Sequence, residues 1–204
     1  IFEASQLWDA LQSHASPIHH IHVSDRGHLG LTRIDAAEAG VDALGYVIEN
    51  SWMGRVLMER LAASDVEVVA PARVASMTPL KQGMSIALDD SERNIHAALV
   101  VIADGAQSQT AQKMGIQSNT QPYGQQGIIA NIAVEKPHDG IAYERFTEQG
   151  PMAMLPLPDF EGSARCALVW TKPNEVAEQL MAATDDVFLQ LLQDSFGYRL
   201  GQLQ

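Results

Sequence analysis

The stretch Ile102-Ala103-Asp104-Gly105-Ala106-Gln107-Ser108 carries the sharpest chemical signal in this chain. It follows Leu99-Val100-Val101, and together with Ile102 and Ala103 these make an unbroken apolar run, the pattern of a strand buried on both faces. Asp104 then falls at the carboxyl end of that strand, where ligands bind in open α/β sheets. Gly105 lets the backbone turn sharply or approach a ligand closely. An ionised carboxylate there repels phosphate but accepts hydrogen bonds from sugar or ribityl hydroxyls. Asp-Gly is equally a common turn pair, so the residues alone leave two readings open, a ligand-binding strand end and a plain strand-to-helix turn. Ser108 can cap a short helix to Met114, closed by Gly115.

Other chemistries are poorly served. The chain has no G-x-G-x-x-G, P-loop, G-x-S-x-G or H-E-x-x-H pattern. His19, His20 and His22 lie close together, but on a strand only His20 and His22 share a face. Two histidines without a third ligand read as exposed or hydrogen-bonded strand residues, and no metal is expected. Cys166 is the only cysteine, which excludes an intrachain disulfide and a thiolate zinc site and fits a reducing compartment.

The bulk numbers set the class. At 204 residues, 46% hydrophobic and 19% charged, the chain suits a large domain or two small ones and excludes disordered, collagen-like and disulfide-scaffold classes. A formal net charge of −12 opposes approach to nucleic acid, and no such partner is expected. No apolar run approaches the roughly 20 residues of a membrane helix. The start, Ile1-Phe2-Glu3-Ala4, lacks an initiating Met and a signal-peptide pattern and reads as the interior of a longer chain.

The elements that must position these residues follow from periodicity. Residues 5–14 carry Leu7, Trp8 and Leu11 at helical spacing, with Ser5 as N-cap. Residues 18–23 and 29–34 are predicted strands around the turn Asp25-Arg26-Gly27. Residues 45–49 are extended. Asn50 or Ser51 then caps a helix whose stripe Trp52, Met53, Val56, Leu57 and Leu61 is core packing. Short strands are predicted at 66–70, 73–78 and 85–88, with Gly83 in a hairpin turn. Four antiparallel strands follow at 127–134, 142–147, 152–157 and 165–170, punctuated by Gly150-Pro151 and Pro158-Asp159. Thr184 caps a last helix, with Asp185 and Asp186 favourable to its dipole and Val187, Phe188, Leu191, Leu192 and Phe196 on its buried face. The fold class is therefore α/β over residues 1–116, followed by a β-sheet with a helix over residues 117–204.

With these elements in place, a family resemblance can be stated. The Ala103-Asp104-Gly105 to Ser108 segment resembles the A-D-G-x-x-S motif of class A flavoprotein monooxygenases, the p-hydroxybenzoate hydroxylase group. That motif continues to an Arg three residues after the Ser, where this chain has Ala111. Further segments are similar to the ubiquinone-biosynthesis hydroxylases of that group. They are His22-Val23-Ser24-Asp25-Arg26-Gly27-His28, Leu44-Gly45-Tyr46-Val47-Ile48-Glu49-Asn50, Glu144-Arg145-Phe146-Thr147-Glu148-Gln149-Gly150-Pro151, Ala153-Met154-Leu155-Pro156-Leu157 and Phe196-Gly197-Tyr198-Arg199-Leu200-Gly201.

The resemblance implies a truncated FAD-binding fold with an antiparallel substrate-domain sheet. Residues 1–116 would be part of the FAD-binding α/β domain and residues 117–204 the substrate domain. It implies hydroxylation of a polyprenylated phenol with FAD, NAD(P)H and O2. Asn50, Arg55, Val74, Asp104 and Gly105 match flavin-contacting positions, although Arg55 also reads as a solvent-facing helical residue. Phe146, Leu155 and Trp170 are candidates to line the substrate pocket, although sheet packing explains each of them as well. No residue is assigned as catalytic. The family's glycine-rich N-terminal motif and C-terminal Gly-Asp segment lie outside this sequence, so the fragment alone is expected to hold FAD poorly and to be inactive. A prenylated substrate implies a cytoplasmic protein in peripheral contact with the inner membrane and in complexes with other quinone-biosynthesis proteins. The alternative is a flavin-lacking accessory domain that carries prenylated intermediates.

Overall fold

The computed structural model describes residues 1–89 and 93–204. In chain order the first elements are α1 (Trp8–Leu11), β1 (Ala15–Ile18), β2 (His20–Asp25), β3 (Leu31–Asp35), β4 (Gly45–Ile48) and α2 (Asn50–Ala62). Next come β5 (Val74–Pro79), β6 (Met84–Leu88), β7 (Asn94–Ala97) and α3 (Gln109–Lys113). The last are β8 (Gln125–Ala133), β9 (Ile141–Phe146), β10 (Met152–Phe160), β11 (Ser163–Pro173), α4 (Asn174–Met181) and α5 (Asp185–Phe196). The fold is mixed α/β, as the sequence indicates. Its two compact units are Ile1–Ser64 with Pro122–Gln204, and Asp65–Gln121.

The first unit is built on a six-stranded sheet of order β3-β2-β9-β10-β11-β8. The four predicted strands of the second half are present, because alternating apolar residues give each strand one face to bury. Sequence reasoning misses what flanks them. β2 pairs in parallel with β9, from His20 opposite Ile141 to Asp25 opposite Phe146, and carries β3 as an antiparallel edge. Residues 20–35 thus join the sheet of residues 125–173, so the compact units do not divide near residue 116.

Register sorts the side chains. Ser24, Arg145, Met152, Trp170 and Ile128 form one cross-strand row, and His22, Tyr143, Met154, Leu168 and Ala130 form the next on the same face. α4, α5 and the C-terminal residues cover the β10, β11 and β8 part of that face, making a core around Met154, Leu168, Trp170, Leu192 and Phe196. Trp170 meets Phe188 edge-on at 5.9 Å, and Tyr143 meets Phe196 likewise at 5.7 Å. Cys166 lies fully buried in this core, and burial pushes its thiol up to about 12, so it stays protonated and unreactive at neutral pH.

Helix details differ from expectation in three places. The first helix is only α1, followed by a 3-10 turn, and Ser5 caps nothing because the helix begins after Leu7. α4 starts directly after β11 without a break that sequence would show. In α5 only part of the predicted stripe is sealed: Leu192 and Phe196 are buried, whereas Val187 and Leu191 stay exposed.

The second unit holds the antiparallel sheet β5-β6-β7 and α3. Gly83 makes the β5–β6 turn at φ +84°, as its position predicts. The predicted strands at 66–70 and 99–103 are corrections, since neither segment forms a strand. Leu99 and Val101 are 79% and 77% exposed. A continuous apolar run states what a segment can bury, and here no strand among the described residues pairs with it.

Candidate functional site

The Asp104 turn is assembled as its residue types require. Gly105 sits at φ +95° with open space where a Cβ would stand, so the backbone turns left-handed and leaves its outer side clear. Ser108 caps α3, its hydroxyl accepting from the Ala111 N–H at 2.9 Å. The Ser108 hydroxyl, then that of Thr110, bonds the Asp104 carboxyl and holds it below the usual carboxylate range. Asp104 is therefore ionised at neutral pH. It lies on the wall of a cavity of about 300 Å³ with Arg73, Val74, Gln107, Thr110 and Lys113. Lys113 Nζ donates to the Val74 and Ala75 carbonyls, both at 3.1 Å, which ties α3 to β5. Asp104, Gly105 and Val74, chosen from separate parts of the sequence, are thus brought to one place.

This set fits the polar part of a dinucleotide. Asp104 offers acceptor lone pairs to hydroxyls, Gly105 allows close approach, and Arg73 supplies positive charge for a phosphate.

In the first unit the site residues stand at the β4–α2 joint. Glu49, not Asn50 or Ser51, is the N-cap, and its carbonyl accepts from the Trp52 and Met53 N–H groups at 3.1 Å. Its carboxylate makes no cap because it is committed elsewhere. Arg165 grips it with two bonds of 3.2 and 2.7 Å, and Asn131 Nδ2 donates to it at 2.8 Å. Arg165 also donates to the Pro158 carbonyl at 2.8 Å. The joint is thereby locked to β8 and β11, which fixes Asn50 as the first, exposed residue of α2. Arg55 is also exposed, paired with Glu59 at 3.0 Å and lying over the Trp52 ring at 5.3 Å.

Sequence reasoning did not find Glu49 and Arg165, because they are 116 positions apart and neither carries a local motif. Glu49→Ala is expected to cost about 1.5–3 kcal/mol, the range for hydrogen bonds to charged groups. The side chains of Arg165 and Glu49 are only 16% and 29% exposed. Urea unfolding of Glu49→Ala, Arg165→Met and the double variant measures the coupling, and strictly additive effects would contradict it.

The three sheet candidates do not share a face. Register puts Phe146 and Leu155 on the face opposite Trp170, Phe146 exposed and Leu155 half-buried. Trp170 is 1% exposed and belongs to the helix-covered core. Glu144 accompanies Phe146 and Leu155 on their face, half-buried, and burial raises its carboxyl above the ordinary range. The strand histidines are engaged locally: His20 meets Asp35 at 2.9 Å, and Arg199 donates to His22 at 2.9 Å. No described helix is long and apolar enough to cross a membrane.

Known proteins place this geometry in context. A ubiquinone hydroxylase of Rhodospirillum rubrum is 35% identical over 196 residues, spanning 96% of this chain and 44% of its own. The mitochondrial ubiquinone biosynthesis monooxygenase COQ6 of Mus musculus is 28% identical over 167 residues, 76% of this chain and 34% of its own. The chain thus spans less than half the length of these curated relatives. Among solved structures, PqsL of Pseudomonas aeruginosa, a probable FAD-dependent monooxygenase, superposes with a TM-score of 0.74 at 23% identity, covering 94% of this chain and 53% of that one. That likeness establishes a shared fold. The FAD binding domain family matches residues 1–204 throughout, and the chain belongs to that family.

Proposed function

We propose that this chain serves an FAD-dependent monooxygenase that hydroxylates a polyprenylated phenol in ubiquinone biosynthesis. The observation that carries the reading is the 35% identity to a ubiquinone hydroxylase across 96% of the chain. One oxygen atom of O2 enters a ring C–H bond to give C–OH, and the other leaves as water. NAD(P)H supplies the two electrons. Bound FAD would supply the oxygen chemistry.

The chain's own residues hold and exclude. Asp104 accepts from hydroxyls of the cofactor, with Gly105 giving backbone access and Val74 a main-chain contact. Asn50 and Arg55, at the start of α2, match flavin-contacting positions of the family by resemblance. Phe146 and Leu155 give the phenol an apolar surface, and Glu144 on the same face can exchange a proton with its hydroxyl. Residues 1–116 carry the flavin role, apart from β2 and β3, which extend the substrate sheet of residues 117–204. A prenylated substrate also supports peripheral contact with a membrane and with other quinone-biosynthesis proteins.

The test is the visible absorbance of the protein purified from its uninterrupted gene. Flavin bands that bleach with NAD(P)H and return with O2 are expected. Asp104→Ala is expected to weaken FAD binding about tenfold or more, the loss of a charge-assisted hydrogen bond. A protein that stays colourless after FAD is added overturns the reading and leaves a flavin-lacking carrier of prenylated intermediates.

A further inference from the structure

The cations of this acidic chain are unevenly placed. Of its thirteen lysines and arginines, Arg26, Arg33, Arg145, Lys172 and Arg199 gather on the helix-covered face of the six-stranded sheet, around β2 and β9. Among the described residues no carboxylate forms an ion pair with any of them. Burial first, and then the charges of neighbouring arginines, disfavour the charged forms: Arg199 and Arg26 act on Arg145, Arg26 on Lys172, and Arg199 and Arg33 on His22. Repulsion of this kind, partly withdrawn from water, is costly unless an anion relieves it.

The centre of the cluster has unspent donors. Arg145 Nε and Ser24 Oγ are buried without a hydrogen-bond partner among the described residues, and Ser24 stands directly opposite Arg145 in the sheet register. Ser24 is 8% exposed and Lys172 5%. The backbone builds the arrangement firmly. The Arg26 N–H donates to the Phe146 carbonyl at 3.0 Å, which extends the β2–β9 ladder and seats Arg26 beside the end of β9. Arg199 arrives from the segment after α5, held by its bond to His22. Two cavities flank the cluster, Arg199 on the wall of one and Arg26 on the wall of the other, with Arg145 and Ser24 lining neither. One of about 870 Å³ has Arg33, Arg199, Tyr143, Leu31 and Ile141 on its wall, together with Asp35 and Glu38. The other, of about 420 Å³, has Arg26, Lys172, Gln149 and Glu148. Asp35 is already engaged by His20 and the Ala37 N–H.

We propose that Arg145, Arg26 and Arg199, with Ser24, form a phosphate-binding site on the side of the sheet away from Phe146 and Leu155. The donors come from three chain segments, the β2 end, β9 and the segment after α5, and their combined positive charge suits a dianion. A carboxylate offers one flat edge and a single charge, and it pairs best with one guanidinium fork. The larger cavity, with apolar Leu31 and Ile141 beside Tyr143, can receive an organic group carried by that phosphate. The site is independent of the proposed monooxygenase reading, because no flavin or phenol residue belongs to it.

The test is titration of the purified protein with inorganic phosphate, phenyl phosphate, benzoate and sodium chloride at matched ionic strength, followed by thermal shift and by NMR of the arginine Nε–H signals. Saturable stabilisation by phosphate with movement of the Arg145 signal is expected, and chloride should give neither. Arg26→Gln and Arg199→Gln, both at exposed positions, are each expected to weaken phosphate about tenfold. Arg145→Gln should abolish the response, but it is partly buried, so the two surface variants decide. Phenyl phosphate binding tighter than phosphate assigns the site to an organic phosphate, and equal affinity assigns it to free phosphate; both uphold it. Benzoate binding as tightly as phosphate overturns the ligand class. No saturation beyond chloride, or unchanged affinity in both surface variants, overturns the site.

Discussion

Replacing Trp170 with alanine is expected to lower the unfolding free energy by about 3–5 kcal/mol, the range for deleting a large aromatic from a packed core. Trp170 is 1% exposed, meets Phe188 edge-on at 5.9 Å and lies 4.7 Å beneath the Lys172 ammonium. Its deletion leaves a hole walled by Met152, Ile128 and α5. Trp170→Phe should cost far less, because the indole Nε1 has no hydrogen bond to lose. Urea denaturation followed by circular dichroism measures both. A Trp170→Ala protein of near-normal stability that binds phenol poorly would return this residue to the pocket its position in the sequence suggested.

Gly83→Ala is expected to cost about 3 kcal/mol or more, and to do so locally. An alanine held in the left-handed region loses about 1–2 kcal/mol. Its Cβ would also collide with the Ala97 carbonyl oxygen and stand 2.9 Å from Ala98 Cα, both backbone atoms that cannot step aside. Overpacking of that kind adds about 1–3 kcal/mol. The turn it disrupts joins β5 to β6, whose Leu80 N–H bonds the Gly83 carbonyl at 3.0 Å. Hydrogen exchange should show β5 and β6 amides losing protection while the Trp170 core keeps its own. Equal loss in both units would show that the two unfold as one.

What could be read in advance was short in range. The strands β8 to β11 announced themselves because alternation and punctuation lie within ten residues or so of each other. The Ser108 cap and the Gly105 and Gly83 turns were legible for the same reason, since each is a local backbone demand met by a local side chain. Pairing between distant segments was not legible. Nothing in His20-Ile21-His22 says that its parallel partner is Ile141-Ala142-Tyr143, because both strands alternate in ways that suit many neighbours. Glu49 and Arg165 are two ordinary charges until the fold sets them 2.7 Å apart. For Trp170 the sequence admits a pocket and sheet packing alike, and only parity separates it from Leu155. Leu155 and Trp170 are both apolar strand residues, and only the register between β10 and β11 shows that they point to opposite sides. The run at 99–103 shows the opposite limit: its composition favours a buried strand, but burial needs a neighbour as well as an inclination.

That run has a colloidal consequence. Val68, Val69, Leu99 and Val101 are 53%, 40%, 79% and 77% exposed within one small unit, β-branched or aliphatic and rich in strand propensity. Such surfaces template contact between copies. The net charge of −12 opposes such contact as a long-range repulsion. Salt shortens its reach to about 10 Å at 0.1 M. Self-association of this chain is therefore expected to rise with salt and as pH falls toward the isoelectric point near 4.8.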